Sequence, residues 1–189
     1  MKVSSDLIAR CKKGDRRAQN KLYELCYSVL MSICLRYEKN HEDARYIVNI
    51  GFMKIVTNLD KFPDKIPFEH WARRIMINTN IDEYRRNKRR KESISYQDFE
   101  EGSKVWNAYK FEHVHEKFNA EELENMIQSL QGDTQKVFNL YAIDGYSHKE
   151  ISDMLAIPIG TSKWHLSKAR SQLREMIELK LNKSKVKIS

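Results

Sequence analysis

Proline is scarce in this chain, with three residues in 189. Two of them, Pro63 and Pro67, confine Lys61 to Pro67 to a loop. Elsewhere helices can run without interruption. The period-two alternation of a half-buried strand is also absent. Together these absences exclude a sheet-based fold and predict an all-α one. Cysteine is equally sparse. Cys11, Cys26 and Cys34 are too few and too scattered for a disulfide framework. Cys26 and Cys34 sit among Leu, Val, Ile and Met in a helical segment and read as small apolar side chains. No C-x-x-C or H-x-x-x-H spacing supports a metal site. No apolar run is long enough for a bilayer, and the N-terminus lacks the apolar core of a signal peptide. The expectation is a cytoplasmic protein without membrane contact. HExxH, GxxxxGK[ST] and GxSxG are all missing, so neither an enzyme nor a bound cofactor is expected. No repeat of the solenoid kind occurs.

What the chain does have is basic charge, a formal net of +8, which favours a polyanionic partner. The charge is blocked. Residues 68–91 hold eight Lys/Arg against three Asp/Glu, residues 92–124 three against nine, and residues 146–187 nine against four. Two small helical domains joined by an acidic linker follow from this alternation. The predicted boundaries are 1–91, 92–119 and 120–182, with a basic tail at 183–189. The linker carries more aromatics (Tyr96, Phe99, Trp106, Tyr109, Phe111, Phe118) than a free tether needs.

In the first domain, helices are predicted from Ser5 to Lys13, on to about Tyr37, after the N-cap Asn40, and from near Phe68 into the basic run. The expected apolar faces are Leu22, Leu25, Val29, Ile33 and Tyr37 in the second, and Ile47, Ile50 or Gly51, Ile55 and Leu59 in the third. Phe68, Trp71 and Ile75 read as core of the fourth. That helix ends in Asn78, Asn80, Asp82, Arg85 and Arg86, then Lys88 to Lys91. Six of the seven residues 85–91 are cationic, more than a helix dipole calls for. Asparagine amides beside an aromatic loop containing Phe62 suit unstacked single-stranded bases.

In the second domain, a helix at about Ala120–Ser129 precedes one that follows Gly132-Asp133 and ends at Gly145. Gly145 to Arg174 then reads as a helix-turn-helix. Ser147 and Glu150 form a capping box, and Ile151, Met154 and Leu155 give one apolar face. Ala156-Ile157 make the turn, and Pro158 opens a second helix with Leu166, Ala169, Leu173 and Ile177 at helical spacing. Lys163, Trp164, His165, Lys168 and Arg170 point elsewhere, the geometry that lays a second helix in the major groove.

These residues resemble a known family. Asp60-Lys61-Phe62, Phe68-Glu69-x-Trp71, Arg74-Ile75-x-x-Asn78, Asp82 and Arg85 look like the −10 module of bacterial sigma factors of the extracytoplasmic-function type. Phe138-x-Leu140, Gly145-Tyr146-Ser147, Glu150-Ile151 and Gly160-Thr161 through Ala169-Arg170 look like the −35 module. The resemblance implies a promoter-specificity subunit of RNA polymerase without chemistry of its own. Lys61, Phe62, Asn78, Asn80, Arg85 and Arg86 would capture and track the melted non-template −10 strand. Ser147, Lys149, Thr161, Lys163, Trp164 and Lys168 would contact the −35 duplex. Ala44, Ile47, Val48, Asn49 and Phe52 would bind core polymerase, at the clamp coiled coil of its largest subunit, with the flap as a further contact. An anti-sigma factor is a further partner the resemblance implies.

The chain departs from the family pattern in places. The resemblance implies an acidic pair where Arg45-Tyr46 stand, an amide-acid pair at Asn49-Ile50, a valine at Ser162 and a basic residue at His165. Trp164 offers an apolar contact of the kind a thymine methyl accepts. The competing reading of the same hairpin is a stand-alone transcription regulator of response-regulator output type. A receiver domain would need strand-helix alternation, which residues 1–90 lack.

Overall fold

The computed structural model describes residues 3–63, 65–92 and 119–186. Among these every regular element is helical. The chain divides into two compact units, residues 1–94 and 95–189. The predicted linker, with its aromatics and with His113 and His115, lies outside the described residues apart from its ends.

Unit 1 begins with α1 (Ser5–Lys12), capped by the Ser4 hydroxyl, which accepts from the Leu7 N–H at 3.2 Å. Gly14, at φ +77°, reverses the chain. Asp15 then caps α2 (Arg16–Tyr37) by accepting from the Arg17 and Ala18 amides at 2.9 and 3.1 Å. The same carboxylate holds the Arg10 guanidinium at 2.7 Å, and that partner keeps its pKa low. Asn40 caps α3 (His41–Thr57), as expected from the sequence. A single 3₁₀ turn (Leu59–Lys61) leads into the proline loop and then α4 (Phe68–Glu92).

Three helices bury their stripes against one another. From α2 come Ala18, Leu22, Cys26, Leu30, Ile33, Cys34 and Tyr37; from α3, Ala44, Ile47, Val48 and Ile55; from α4, Ala72, Met76, Ile77 and Ile81. Each large side chain so buried contributes about 1.5–3 kcal/mol. The stripe on α2 is rotated from the expected one. Leu25 is 38 % exposed and Val29 half-buried, while Cys26 and Leu30 are fully inside. Small Ala18 and Cys26 let the neighbouring helices approach there. On α3 the expected Ile47, Ile55 and Leu59 are buried, Leu59 from within the 3₁₀ turn. Gly51, not Ile50, completes the stripe. A Cβ at Gly51 would stand 2.7 Å from Met76 Sδ, so a larger residue there would make the thioether end of Met76 shift.

Unit 2 begins with α5 (Ala120–Ser129), capped reciprocally by Asn119 and Glu122. The helix α6 (Gly132–Phe138) widens into a π-type turn at Asn139–Ile143. Gly145, at φ +77°, lets the chain turn, with the Tyr146 N–H reaching back to the Leu140 carbonyl at 2.9 Å. α7 (His148–Leu155) and α8 (Ile159–Val186) form the expected helix-turn-helix. α8 continues into the stretch read as a tail. Met126, Leu130, Ala169 and Leu173 form one core cluster, with Leu123, Ile127, Phe138, Met176 and Ile177 packed on it. Val137, Leu140, Ile151, Leu155 and Leu166 are buried as well. No helix among the described residues is long and apolar enough to cross a membrane.

Two outcomes follow from this packing. Ala156 closes α7 in the left-handed region, at φ 54° and ψ 48°, which costs an L-residue about 1–2 kcal/mol. Ala156→Gly removes that strain at a smaller entropic cost. It is expected to stabilise unit 2 by about 0.5–1 kcal/mol, read as a higher denaturant midpoint. All three thiols are buried, and burial pushes Cys26 and Cys34 up to about 12. In the native protein at neutral pH they are expected to label only slowly with a thiol reagent such as Ellman's, and rapidly once the chain is unfolded.

Candidate nucleic-acid interface

The surface of unit 1 that carries polar and aromatic groups lies where the proline loop meets α4. Phe62 packs on Phe68 at 5.5 Å and on Trp71 at 5.3 Å between ring centroids, and Phe68 on Trp71 at 5.7 Å. Phe68 is buried, whereas Phe62 and Trp71 are half-buried and keep ring surface at the outside. Beside them opens a shallow cleft of about 310 Å³, lined by Lys54, Asn58, Lys61, Trp71, Ile75, Asn78 and Thr79. The structure thus brings together Lys61 and Asn78, two of the predicted residues, both exposed. It adds Lys54, expected instead on the polymerase-binding helix, and Asn58, which the sequence did not single out. Lys54 is held by the Asp82 carboxylate at 3.0 Å, and the Asn58 amide donates to the Lys54 carbonyl at 2.8 Å.

Asn80 is a correction. It is only 1 % exposed; its amide donates to the Met76 carbonyl at 2.9 Å and to Cys34 Sγ at 3.4 Å. Its Oδ1 is buried without a hydrogen-bond partner. Four residues after Met76, it falls on the buried side of α4 and cannot reach a strand from there. Arg85 is half-buried and Arg86 exposed. Arg86 pairs with the Glu83 carboxylate and lies 3.5 Å from the Tyr46 hydroxyl. These contacts, Tyr46 foremost, raise its pKa and keep it cationic.

The residues expected to meet core polymerase need the larger correction. Ala44, Ile47, Val48 and Phe52 are all buried within unit 1. Phe52 meets Tyr23 edge-on at 4.9 Å. Only Asn49 is exposed, and it accepts from the Tyr23 hydroxyl at 2.9 Å. The outer face of α3 consists instead of Arg45, Tyr46, Asn49 and Met53. Tyr46 is 54 % and Met53 59 % exposed. An apolar Met on the face opposite the buried stripe was the signal available for this face.

In unit 2 the capping box forms as predicted. The Glu150 carboxylate accepts from the Ser147 N–H and hydroxyl at 2.9 and 2.8 Å. The Ser147 hydroxyl is therefore already engaged. Lys149, Lys163 and Lys168 are exposed, and Thr161 and Trp164 half-buried. The Lys168 ammonium stands 4.8 Å from the centre of the Trp164 ring, a cation–π contact worth about 0.5–1 kcal/mol at an exposed site. The two residues of α8 where the chain departs from the family pattern both turn inward. Ser162 is fully buried and hydrogen-bonded to His148 Nδ1 at 2.9 Å. His165 is hydrogen-bonded through Nδ1 to Thr134 Oγ1 at 2.9 Å. His148 also stacks on Tyr141 at 4.6 Å, with the Arg170 guanidinium 5.9 Å from the same ring. Burial, then Lys163 and Arg170, lower the His148 pKa and favour the neutral ring. Spacing and composition did not single out Tyr141, His148 or this bond. A serine on an apolar helix face is the signal that could have found it, because a buried hydroxyl needs a partner.

Comparison with known proteins agrees with this layout. The family model described as Sigma-70 region 2 matches residues 22–90, and that described as Sigma-70, region 4 matches residues 120–173. The ECF RNA polymerase sigma factor SigW of Bacillus subtilis is 29 % identical over 180 residues, covering 90 % of this chain and 94 % of that protein. The ECF RNA polymerase sigma-E factor of Escherichia coli K12 is 28 % identical over 181 residues, covering 91 % and 93 %. Among solved structures, the sigma factor RpoE of Bartonella quintana, in complex with the anti-sigma factor NepR, superposes with a TM-score of 0.50. It is 18 % identical and covers 84 % of this chain and 96 % of that one.

The placement of the two asparagines can be checked by stability alone. Asn80→Asp puts a carboxylate into the core and is expected to cost several kcal/mol, or to prevent folding. Asn78→Asp on the exposed side is expected to change the unfolding free energy measured in urea by no more than about 0.5 kcal/mol. Equal effects at the two positions would contradict the burial described here.

Proposed function

The chain belongs to the sigma-70 family, as a sigma factor of the extracytoplasmic-function type, and we propose that it is a promoter-specificity subunit that binds core RNA polymerase, reads −35 and −10 elements and holds the melted strand. The observation that carries this reading is the pair of cationic, aromatic surfaces on two separate helical units, each within its own matched region of the family. A lone helix-turn-helix regulator needs only the second.

On unit 1, the cleft by Lys61, Trp71 and Asn78 has the size and composition to take an unstacked base. The half-buried Trp71 ring offers stacking, and amide and ammonium groups offer edge hydrogen bonds. Arg85, Arg86, Lys88, Arg89 and Arg90 at the end of α4 would follow the phosphates, a term that weakens steeply with salt. Asn80 has no direct part and supports α4 from inside. On unit 2, Lys163, Trp164 and Lys168 would read the −35 duplex, with Thr161 beside them. Lys149 and the capped start of α7 at Ser147 would meet phosphates.

For core polymerase, the exposed face of α3 replaces the buried set. Tyr46 and Met53 would supply apolar anchors, and Arg45 and Asn49 the polar rim. On unit 2, an apolar groove of about 350 Å³ between α5 and α8, lined by Met126, Met176 and Leu179 among others, suits the flap. An anti-sigma partner is proposed from the Bartonella complex alone. Function in this scheme is binding and remodelling of DNA, without bond chemistry.

Run-off transcription from a promoter library, with core polymerase of the same organism, tests the reading. Starts that depend on this protein and share two elements at fixed spacing are expected. No new starts, alongside salt-sensitive duplex binding by the protein alone, would favour a stand-alone regulator. In the same assay Tyr46→Ala with Met53→Ala is expected to weaken core binding by roughly tenfold or more, as loss of two interface anchors does, with the thermal midpoint nearly unchanged. Val48→Ala should lower stability first.

A further inference from the structure

On α8 the half-buried Trp164 and the exposed Lys168 lie against each other, and Trp164 also touches His165, a residue that looks inward. Trp164 lies roughly half a turn around the helix from the buried stripe of Ser162, Leu166, Ala169 and Leu173. An indole in such a place, without support, would sample several staggered rotamers. Among its contacts here are an imidazole and an ammonium. The His165 imidazole meets it edge to face, with centroids 4.8 Å apart and planes at 71°. The Lys168 ammonium stands over it at 4.8 Å. His165 is itself tied to another helix. Its Nδ1 is bonded to the buried Thr134 hydroxyl at 2.9 Å, and its Nε2 lies 3.9 Å from the Asp133 carboxylate, both at the start of α6. On the other side of the reading residues, Ser162 is tied to His148 of α7. Lys163 and Trp164 are thus bracketed by two anchored residues.

Resting on the reading of α8 as the −35 helix, we propose that His165 is a positioning residue for sequence readout: it holds the Trp164 indole so that the ring meets the methyl group of a thymine in the duplex. The ligand follows from chemistry. An indole is a flat apolar surface with one N–H donor and no acceptor. The thymine methyl is the apolar feature that the major groove displays, whereas guanine, adenine and cytosine present donors and acceptors there. The Lys168 ammonium on the same ring is then directed to an acceptor beside that thymine. A side chain at position 165 reaching outward to phosphate would leave the indole without its edge contact and its link to α6.

The test uses the full chain and duplexes carrying the −35 element recovered by run-off selection, with each thymine replaced in turn by deoxyuridine, which lacks only the methyl. One position is expected to lose roughly fourfold in affinity, the equivalent of one buried methyl group. That loss is expected to vanish in Trp164→Ala and to shrink towards onefold in His165→Ala. It is expected to shrink also in Thr134→Val, which keeps the imidazole and the core shape but removes its tether. Affinity for an unrelated duplex at low salt should stay unchanged in His165→Ala and Thr134→Val, and the thermal midpoints of all three variants report whether they fold. The proposal is overturned if no thymine position discriminates in the wild type, or if the discrimination persists in Trp164→Ala. Discrimination surviving in folded His165→Ala and Thr134→Val, or uniform weakening of thymine and uracil duplexes alike, would do the same. A chain that binds no −35 duplex and directs no transcription would instead remove the reading of α8 itself.

Discussion

A helix can give its partners only the face it does not need for its own core, and this constraint governs both units. Around α2, α3 and α4 the buried stripes use up Ala44, Ile47, Val48, Ile55, Ala72, Met76 and Ile81. Whatever unit 1 binds must be met by what remains: Arg45, Tyr46, Asn49 and Met53 on α3, and Asn78 with the basic end of α4. The close contact of α3 and α4 at Gly51 and Met76 sets the two outer faces relative to each other. Because cores pack to the density of crystals, a change of one methyl there is felt at both faces.

In unit 2 the same constraint meets a harder requirement. α8 has to bury Leu166, Ala169 and Leu173 while presenting side chains whose aim matters. Apolar packing is not directional. Hydrogen bonds are, and the unit places two of them on either side of Lys163 and Trp164, from Ser162 to His148 and from His165 to Thr134. Each links α8 to a different helix. The polar residues at inward positions therefore define the rotation of α8 about its axis more sharply than an apolar pair could.

Much of this was legible beforehand. The caps at Asn40 and Ser147 act locally, within three residues, and so were readable from spacing. The reversals at Gly14 and Gly145 need positive φ, which glycine reports directly. The phase of a stripe is less legible. Leu25 and Cys26 differ by one residue, and only the neighbouring helices make the small thiol the buried one and leave the larger leucine at the edge. Asn80 shows the limit most plainly. Its amide looks like a base reader, yet its address on α4 puts it against Cys34 and Met76.

Periodicity, capping and charge act over a few residues, so the helical class, the two-unit order, several helix starts and the basic charge of both units were legible in the chain, whereas the π turn after Phe138 and the run of α8 to Val186 were not. Tertiary structure alone decided which members of each motif face outward and which polar residues hold the others in place. Those choices depend on contacts between residues far apart in the chain: Cys34 with Asn80, Gly51 with Met76, Thr134 with His165. No local pattern carries which face of a helix its neighbours will cover, and that coverage is what makes Val48 core and leaves Met53 at the surface.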